Sequence, residues 1–249
     1  MLSRIWRRSR DNRICDPNCE TRLFMKTVLY QVPYSPYCIA IAEALDAAGV
    51  SYRSVLAPLH RRDPLIRIAQ GRYYQVPLLV HGKQVIFDGS AEGLDVARHI
   101  DREFWGGGLF PAEHEGMQRI LIPHIENDVE AVTFRLTDPL RIPRIKDLVE
   151  RTEAIRFKER RFGRGCLDVW RKEAPVLRKK TFDLLEPFDL ILRGSAYIFG
   201  KQPVYSDYAL SGIIGALTYG GHVRLPKGLK SIERWRRDLK QWQVCRAIR

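Results

Sequence analysis

The chain predicts an α+β N-terminal domain, with its elements in the order β-α-β-α-β-β-α, followed by an all-α helical domain. Three observations carry this reading. Short apolar strand runs alternate with helical stripes as far as about residue 104. The run Trp105-Gly106-Gly107-Gly108-Leu109-Phe110-Pro111 then breaks the pattern as a linker. Beyond it the strand signals stop and only helical stretches remain. Charge divides the chain at the same place. Residues 27–104 carry eight basic and eight acidic side chains, whereas 105–249 carry 27 and 18, out of a formal net charge of +13. The expected organisation is therefore a basic, disordered extension over 1–25, an α/β domain over 26–104, a linker over 105–111 and a helical domain over 112–249.

Taken in order, Thr27–Gln31 is an apolar run of strand length. Ile39 to Gly49 follows as a helix, with Ile41, Ala44, Leu45 and Ala48 on one stripe and Gly49 as the residue that ends it. Ser51–Leu56 is a second strand, and Asp63–Ala69 a short helix after the Arg61-Arg62 loop. Val76–Val80 and Gln84–Phe87 are strands joined by the tight turn His81-Gly82-Lys83. Ser90–Phe104 is a helix, its inner side set by Leu94, Val96, Ala97 and Ile100. In the second half, 112–134, 143–163, 166–192, 204–219 and 228–243 are expected to be helices, punctuated by prolines and glycines.

At 45% hydrophobic and 29% charged residues, the composition is that of an ordinary globular protein. No apolar run approaches the roughly 18 residues that a membrane span requires, so no membrane partner is expected. Five cysteines, an odd number, argue against a disulfide framework and for a reducing, cytoplasmic setting. Cys15 and Cys19 form a C-x3-C pair with no second pair at metal spacing, so no metal is expected. The basic helical half could attract anions. Nothing matches a nucleic-acid recognition motif, so no specific nucleic-acid partner is expected.

The chemistry centres on Tyr34-Ser35-Pro36-Tyr37-Cys38, between the first strand and the first helix. Pro36 suits a first helical turn, where its missing N–H costs nothing. Ser35 then falls at the N-cap, beside free backbone donors and the partly positive helix end, a place that stabilises an anion. The Ser-Pro-Tyr-Cys string resembles the Cys-Pro-Tyr-Cys of glutaredoxins with serine in place of the first cysteine. With that serine, Val76-Pro77-Leu78-Leu79, and Asp88-Gly89-Ser90 in order on the predicted elements, residues 26–245 resemble the cytosolic glutathione transferase superfamily. Asp207-Tyr208-Ala209-Leu210 resembles that family's helical half, although Val204 stands where a capping serine or threonine is usual, leaving the capping box incomplete. Gly163-Arg164-Gly165-Cys166 with Trp170 is similar to a bacterial subgroup.

The resemblance implies a thioredoxin-like N-terminal domain, glutathione as co-substrate and a small hydrophobic electrophile as second substrate. It also implies a homodimer and a detoxifying conjugation in the cytoplasm. Ser35 is the expected donor to the glutathione thiolate, with Tyr34 as its rival. Cys38 is a possible thiol, though more simply a buried helix residue. A cis Val76-Pro77 bond is implied, presenting the Val76 backbone to an extended ligand. Ser90 would hold the γ-glutamyl carboxylate and Asp88 the α-amino group, with Gly89 replacing the family's acidic residue. Gln75, and more weakly Arg72, would meet the glycyl end. Tyr34, His124, Asp128, Phe134, Arg135 and Trp170 are candidates for the second-substrate wall. Two other readings stand beside the transferase: a non-catalytic binding or assembly module on the same fold, and a glutathione-dependent thiol transferase or reductase.

Overall fold

The computed structural model describes residues 27–244, and the expectations for 1–25, with Cys15 and Cys19, lie outside it. Strand β1 (Thr27–Gln31) leads into helix α1 (Pro36–Ala47), strand β2 (Tyr52–Leu56), helix α2 (Asp63–Ile68), strands β3 (Leu78–His81) and β4 (Gln84–Phe87), and helix α3 (Asp95–Ile100). The sheet order is β2-β1-β3-β4. β1 runs parallel to β2 with Leu29 opposite Ser54, and antiparallel to β3 with Leu29 opposite Leu79. This is the thioredoxin-like arrangement expected. Gly49 adopts φ 62° after Ala48 caps α1, which is the left-handed turn its glycine allows.

The boundary that matters most for the site differs. The third helix begins at Asp95 and not at Ser90. The seven residues before Asp95 are closed by two carboxylates instead of by helical turns. Asp95 Oδ2 accepts the backbone N–H of Gly89 at 2.9 Å and of Ser90 at 2.8 Å, and Asp88 Oδ1 accepts that of Val96 at 2.9 Å. Gly93 takes φ 65° within the turn. After Ile100 the helix widens to a π turn over Asp101–Trp105, which brings the Trp105 indole N–H to the Ala44 carbonyl at 3.0 Å.

The helical half follows. Helix α4 (Ala112–Pro123) passes through a π turn over His124–Val129 into α5 (Glu130–Arg141). It runs past the end expected at 134, and Pro139 lies inside its last turn. Helix α6 (Leu148–Phe162) begins at Asp147, whose carboxylate accepts the Val149 and Glu150 amides at 2.9 Å each. The single helix expected over 166–192 is two, α7 (Cys166–Lys172) and α8 (Ala174–Gly194), because Pro175 belongs to a first turn. Helices α9 (Tyr205–Thr218) and α10 (Lys230–Gln241) complete the bundle.

The two halves share one core. Leu29, Ile41 and Leu45 pack in the same cluster as Ile125, Leu210, Ile213 and Ile214. Helix α9 crosses the start of α1 so closely that a Cβ at Gly212 would lie 2.2 Å from the Pro36 carbonyl oxygen. Only glycine permits that approach, and it fixes the N-terminus of α1 against the helical half. A second cluster, around Leu136, Ile142, Trp170 and Leu217, lies among α5 to α9.

Candidate glutathione site between the two halves

Ser35 is the N-cap of α1, with φ −79° and ψ 125°, and its Oγ accepts the Cys38 amide at 3.4 Å. The acceptor role leaves the single hydroxyl proton, which also acts on the buried Cys38 sulfur, as the group that can turn to a ligand. The half-buried side chain opens on a cavity of about 430 Å³ that lies between the halves and is also lined by Tyr34, Tyr37, Gln75, Val76, Glu126, Phe134, Arg141 and Phe162. That volume falls within the roughly 300–1,000 Å³ typical of small-molecule sites. The Val76–Pro77 peptide bond is cis. Val76 and Gln75 face the cavity, and Pro77 is buried beneath them. Among the described residues, the Val76 backbone makes no hydrogen bond, so an extended ligand would meet a free edge.

Tyr34 lines the cavity with its hydroxyl already engaged. Its hydroxyl donates to Glu150 Oε1 at 3.3 Å, and the Arg141 guanidinium sits 4.0 Å over its ring. Burial raises its pKa, with Glu150 adding to the rise and Arg141 opposing it. Cys38 is fully buried, and burial pushes its thiol up to about 11 against smaller opposing effects of the Ser35 hydroxyl and Val32 backbone. A thiol so placed is mostly protonated and shielded.

The loop ahead of α3 departs most from what the resemblance implied. Ser90 is exposed and caps no helix, and its N–H, with that of Gly89, is already held by Asp95. The Asp88 carboxylate points inward to Val96 N, and burial raises its pKa to about 7. None of these three residues lines the cavity. Arg72 donates to the Ala69 carbonyl at 3.2 Å and lies over the Phe87 ring, also away from it. Of the second-substrate candidates, the cavity wall includes Tyr34 and Phe134. His124 and Asp128 pair at 2.8 Å outside it, Trp170 is buried against Phe134 and Phe162, and Arg135 lies over all three of those rings.

Sequence reasoning passed over the charged wall. Asp138 is clamped by Arg141 at 2.7 Å and Lys158 at 2.8 Å. Tyr37 donates to Glu130 Oε2 at 2.7 Å. Glu126 and Glu130 stand one turn apart on the cavity wall, and burial raises both. Arg62, from the loop before α2, reaches the cavity with buried Nε and NH1 atoms that have no hydrogen-bond partner. Spacing along the chain cannot separate these residues from an ordinary solvated helix face, because only the folded cavity brings them together.

Residues 29–104 match the family described as glutathione S-transferase, N-terminal domain. Comparison with curated proteins by sequence finds no match. Among solved structures, a glutathione S-transferase from Ceriporiopsis subvermispora in complex with glutathione is similar, with a TM-score of 0.69 and 15% identity over 87% of this chain and 98% of that one. Glutaredoxin 2 from Salmonella typhimurium in complex with glutathione has a TM-score of 0.66 and 15% identity over 88% and 97%. A delta-class glutathione transferase from Nilaparvata lugens has a TM-score of 0.59 and 19% identity over 88% and 90%. Residues 29–104 therefore resemble the glutathione S-transferase N-terminal domain, and the chain shares the fold of these solved structures. Among the described residues there is no cluster that could hold a metal ion and no helix long and apolar enough to cross a membrane.

Proposed function

We propose that the chain is a glutathione transferase-like enzyme in which Ser35 stabilises the glutathione thiolate for attack on a small hydrophobic electrophile. The observation that carries this reading is the Ser35 hydroxyl, at the N-terminus of α1, opening on the interdomain cavity beside Val76. A free thiol has a pKa of about 8.5, and each unit of depression corresponds to about 1.4 kcal/mol. One hydroxyl donor and the helix end together can supply about two units. The bound cysteine sulfur, not the serine, is the nucleophile. It displaces a leaving group or adds to an activated double bond, and proximity within the cavity supplies the remaining acceleration. Phe134, Phe157 and Phe162 give the second substrate an apolar wall. The reading includes a homodimer and a cytoplasmic, detoxifying role. Met117 and Ile120, both exposed on one face of α4, are apolar surface suited to such pairing.

The test is titration of the purified protein with glutathione, followed by conjugation assays with an aromatic halide and an enone. Saturable binding and a conjugation rate above the uncatalysed one support the reading. No heat and no thermal shift at millimolar glutathione count against it. The binding-module reading is favoured by one specific observation, the occupation of the Gly89 and Ser90 amides by Asp95. It predicts that glutathione fails to bind while the fold is intact. The reductase reading loses support from Cys38, which is buried and has its thiol pushed upward.

A further inference from the structure

Two charged groups on the cavity wall lack a partner of opposite charge. One is Arg62, with two buried guanidinium nitrogens that no acceptor meets. The groups that act on its charge are Cys38, Tyr34, Tyr73 and Tyr74, none of them a carboxylate. The other is Glu126, which among the described residues makes no hydrogen bond or ion pair. It is carried by the π turn over His124–Val129, which re-aims the helix at this point, and it lines the same cavity. A guanidinium with two buried nitrogens and a half-buried carboxyl, each without a partner of opposite charge, are both unfavourable alone. A ligand bearing a carboxylate and an ammonium group at its two ends would satisfy both in one step.

We propose that the cavity recognises a zwitterionic ligand, with the ligand's carboxylate on Arg62 and its ammonium group on Glu126. Resting on the transferase reading, this assigns the anchoring of glutathione, which carries both groups, to Arg62 and Glu126 and not to Ser90 and Asp88. It accounts for a site whose Gly89 and Ser90 amides are already filled by the chain's own Asp95. The groups that face Glu126 are Glu130 on the same helix, Asp88 from the loop before α3, Tyr37 on α1 and Tyr205 on α9. None is a cation. Burial, with Glu130 and Asp88, pushes Glu126 up to about 8, so in the free protein it is mostly protonated at pH 7. Pairing with an ammonium group favours the carboxylate, and the displaced proton leaves to solvent.

The experiment is calorimetric titration of the full chain, and of Glu126→Gln and Arg62→Gln, with three probes at pH 7. The probes are glutathione, its analogue lacking the α-amino group, and its analogue with the glycyl carboxylate as amide. Each titration is run in two buffers of different ionisation enthalpy. The unaltered protein is expected to prefer glutathione to the deamino analogue by about tenfold or more and to release close to one proton per ligand. Glu126→Gln is expected to lose that preference and the proton release while still discriminating against the glycyl amide. Arg62→Gln is expected to do the reverse. Thermal melts confirm that both variants fold. Glutathione binding that ignores the α-amino group, or a Glu126→Gln protein that keeps the preference, overturns the proposal and leaves the transferase reading standing. No binding of glutathione to the unaltered protein overturns both.

Discussion

Two acidic side chains, one wholly buried and one half-buried, in two parts of the molecule, face opposite fates. Asp207, at the start of α9, is wholly buried and fully employed. Its carboxylate accepts the amides of Ile198 and Val204 at 3.0 Å each and the Trp235 indole N–H at 2.8 Å. Burial still raises it, to about 6, but three donors hold it charged at neutral pH. Glu126, on the cavity wall, has burial and two neighbouring acids against it and no donor in its favour. The first carboxylate ties α9, α10 and the 195–204 loop together. The second does nothing for the fold and is costly in its ionised form. The contrast teaches where to look for function: a buried charge with all its partners is structure, and one without them, facing a cavity, is waiting for a ligand.

The sharpest way to break this comparison is at Asp207. Asp207→Ala leaves three buried donors unpaired, at roughly 1–3 kcal/mol each. Equilibrium urea unfolding is expected to show a loss of about 3–5 kcal/mol, or no folded protein at all. A loss under about 1 kcal/mol would mean that the network is not what joins these elements.

The next largest effect belongs to catalysis. Ser35→Ala removes one donor to a charged sulfur, worth about 1.5–3 kcal/mol, and leaves the helix end intact. Conjugation near pH 7 is expected to fall about tenfold or more, with glutathione affinity little changed. Tyr34→Phe is expected to matter less, because the phenol is already engaged with Glu150. The reverse order of the two variants in a steady-state assay would move the donor role to Tyr34.

Glu126→Gln is expected to act on stability in the opposite direction to Asp207→Ala. With the folded pKa near 8 and the unfolded one near the ordinary carboxylate value, the native state holds the extra proton between them. Stability from this residue is therefore highest at low pH and is lost as pH rises from about 5 to about 8. The glutamine variant lacks that loss. Melting temperature against pH should fall less steeply for the variant than for the unaltered protein, and parallel curves would show that Glu126 ionises freely in the fold.

The smallest effect is expected at Ser90. Its amide is bound by Asp95 and its side chain is exposed. Ser90→Ala should shift glutathione affinity by less than about threefold, or under roughly 0.7 kcal/mol. A tenfold loss would restore the role that the sequence resemblance implied for this residue.

Much of the α/β half is legible before folding. β1 and β4 carry apolar runs whose ends are marked by turn residues, and Pro36 with Gly49 brackets α1. The helix after β4 is misjudged at its start because Ser90 looks like an N-cap. In the folded chain Asp88 and Asp95 close the turn through side-chain bonds that spacing along the chain does not distinguish. Pro175 does signal a new helix, and Pro139 misleads because the helix continues through it to Arg141 despite the hydrogen bond its missing N–H forgoes. Ser35 and Val76 are legible because local geometry gives them their roles. Arg62, Glu126 and Glu130 are not, since each owes its surroundings to residues distant in the chain, as Tyr37 lies against Glu130.

The most direct test of the account is the pKa of the glutathione thiol in the complex, followed by the ultraviolet absorbance of the thiolate across a pH titration. With Ser35 intact, bound glutathione should ionise one to two units below the value of about 8.5 for a free thiol, and Ser35→Ala should restore most of that difference. A bound thiol that titrates as it does in water, or a depression that survives in Ser35→Ala, would contradict the claim that this serine, at the head of α1, makes the nucleophile.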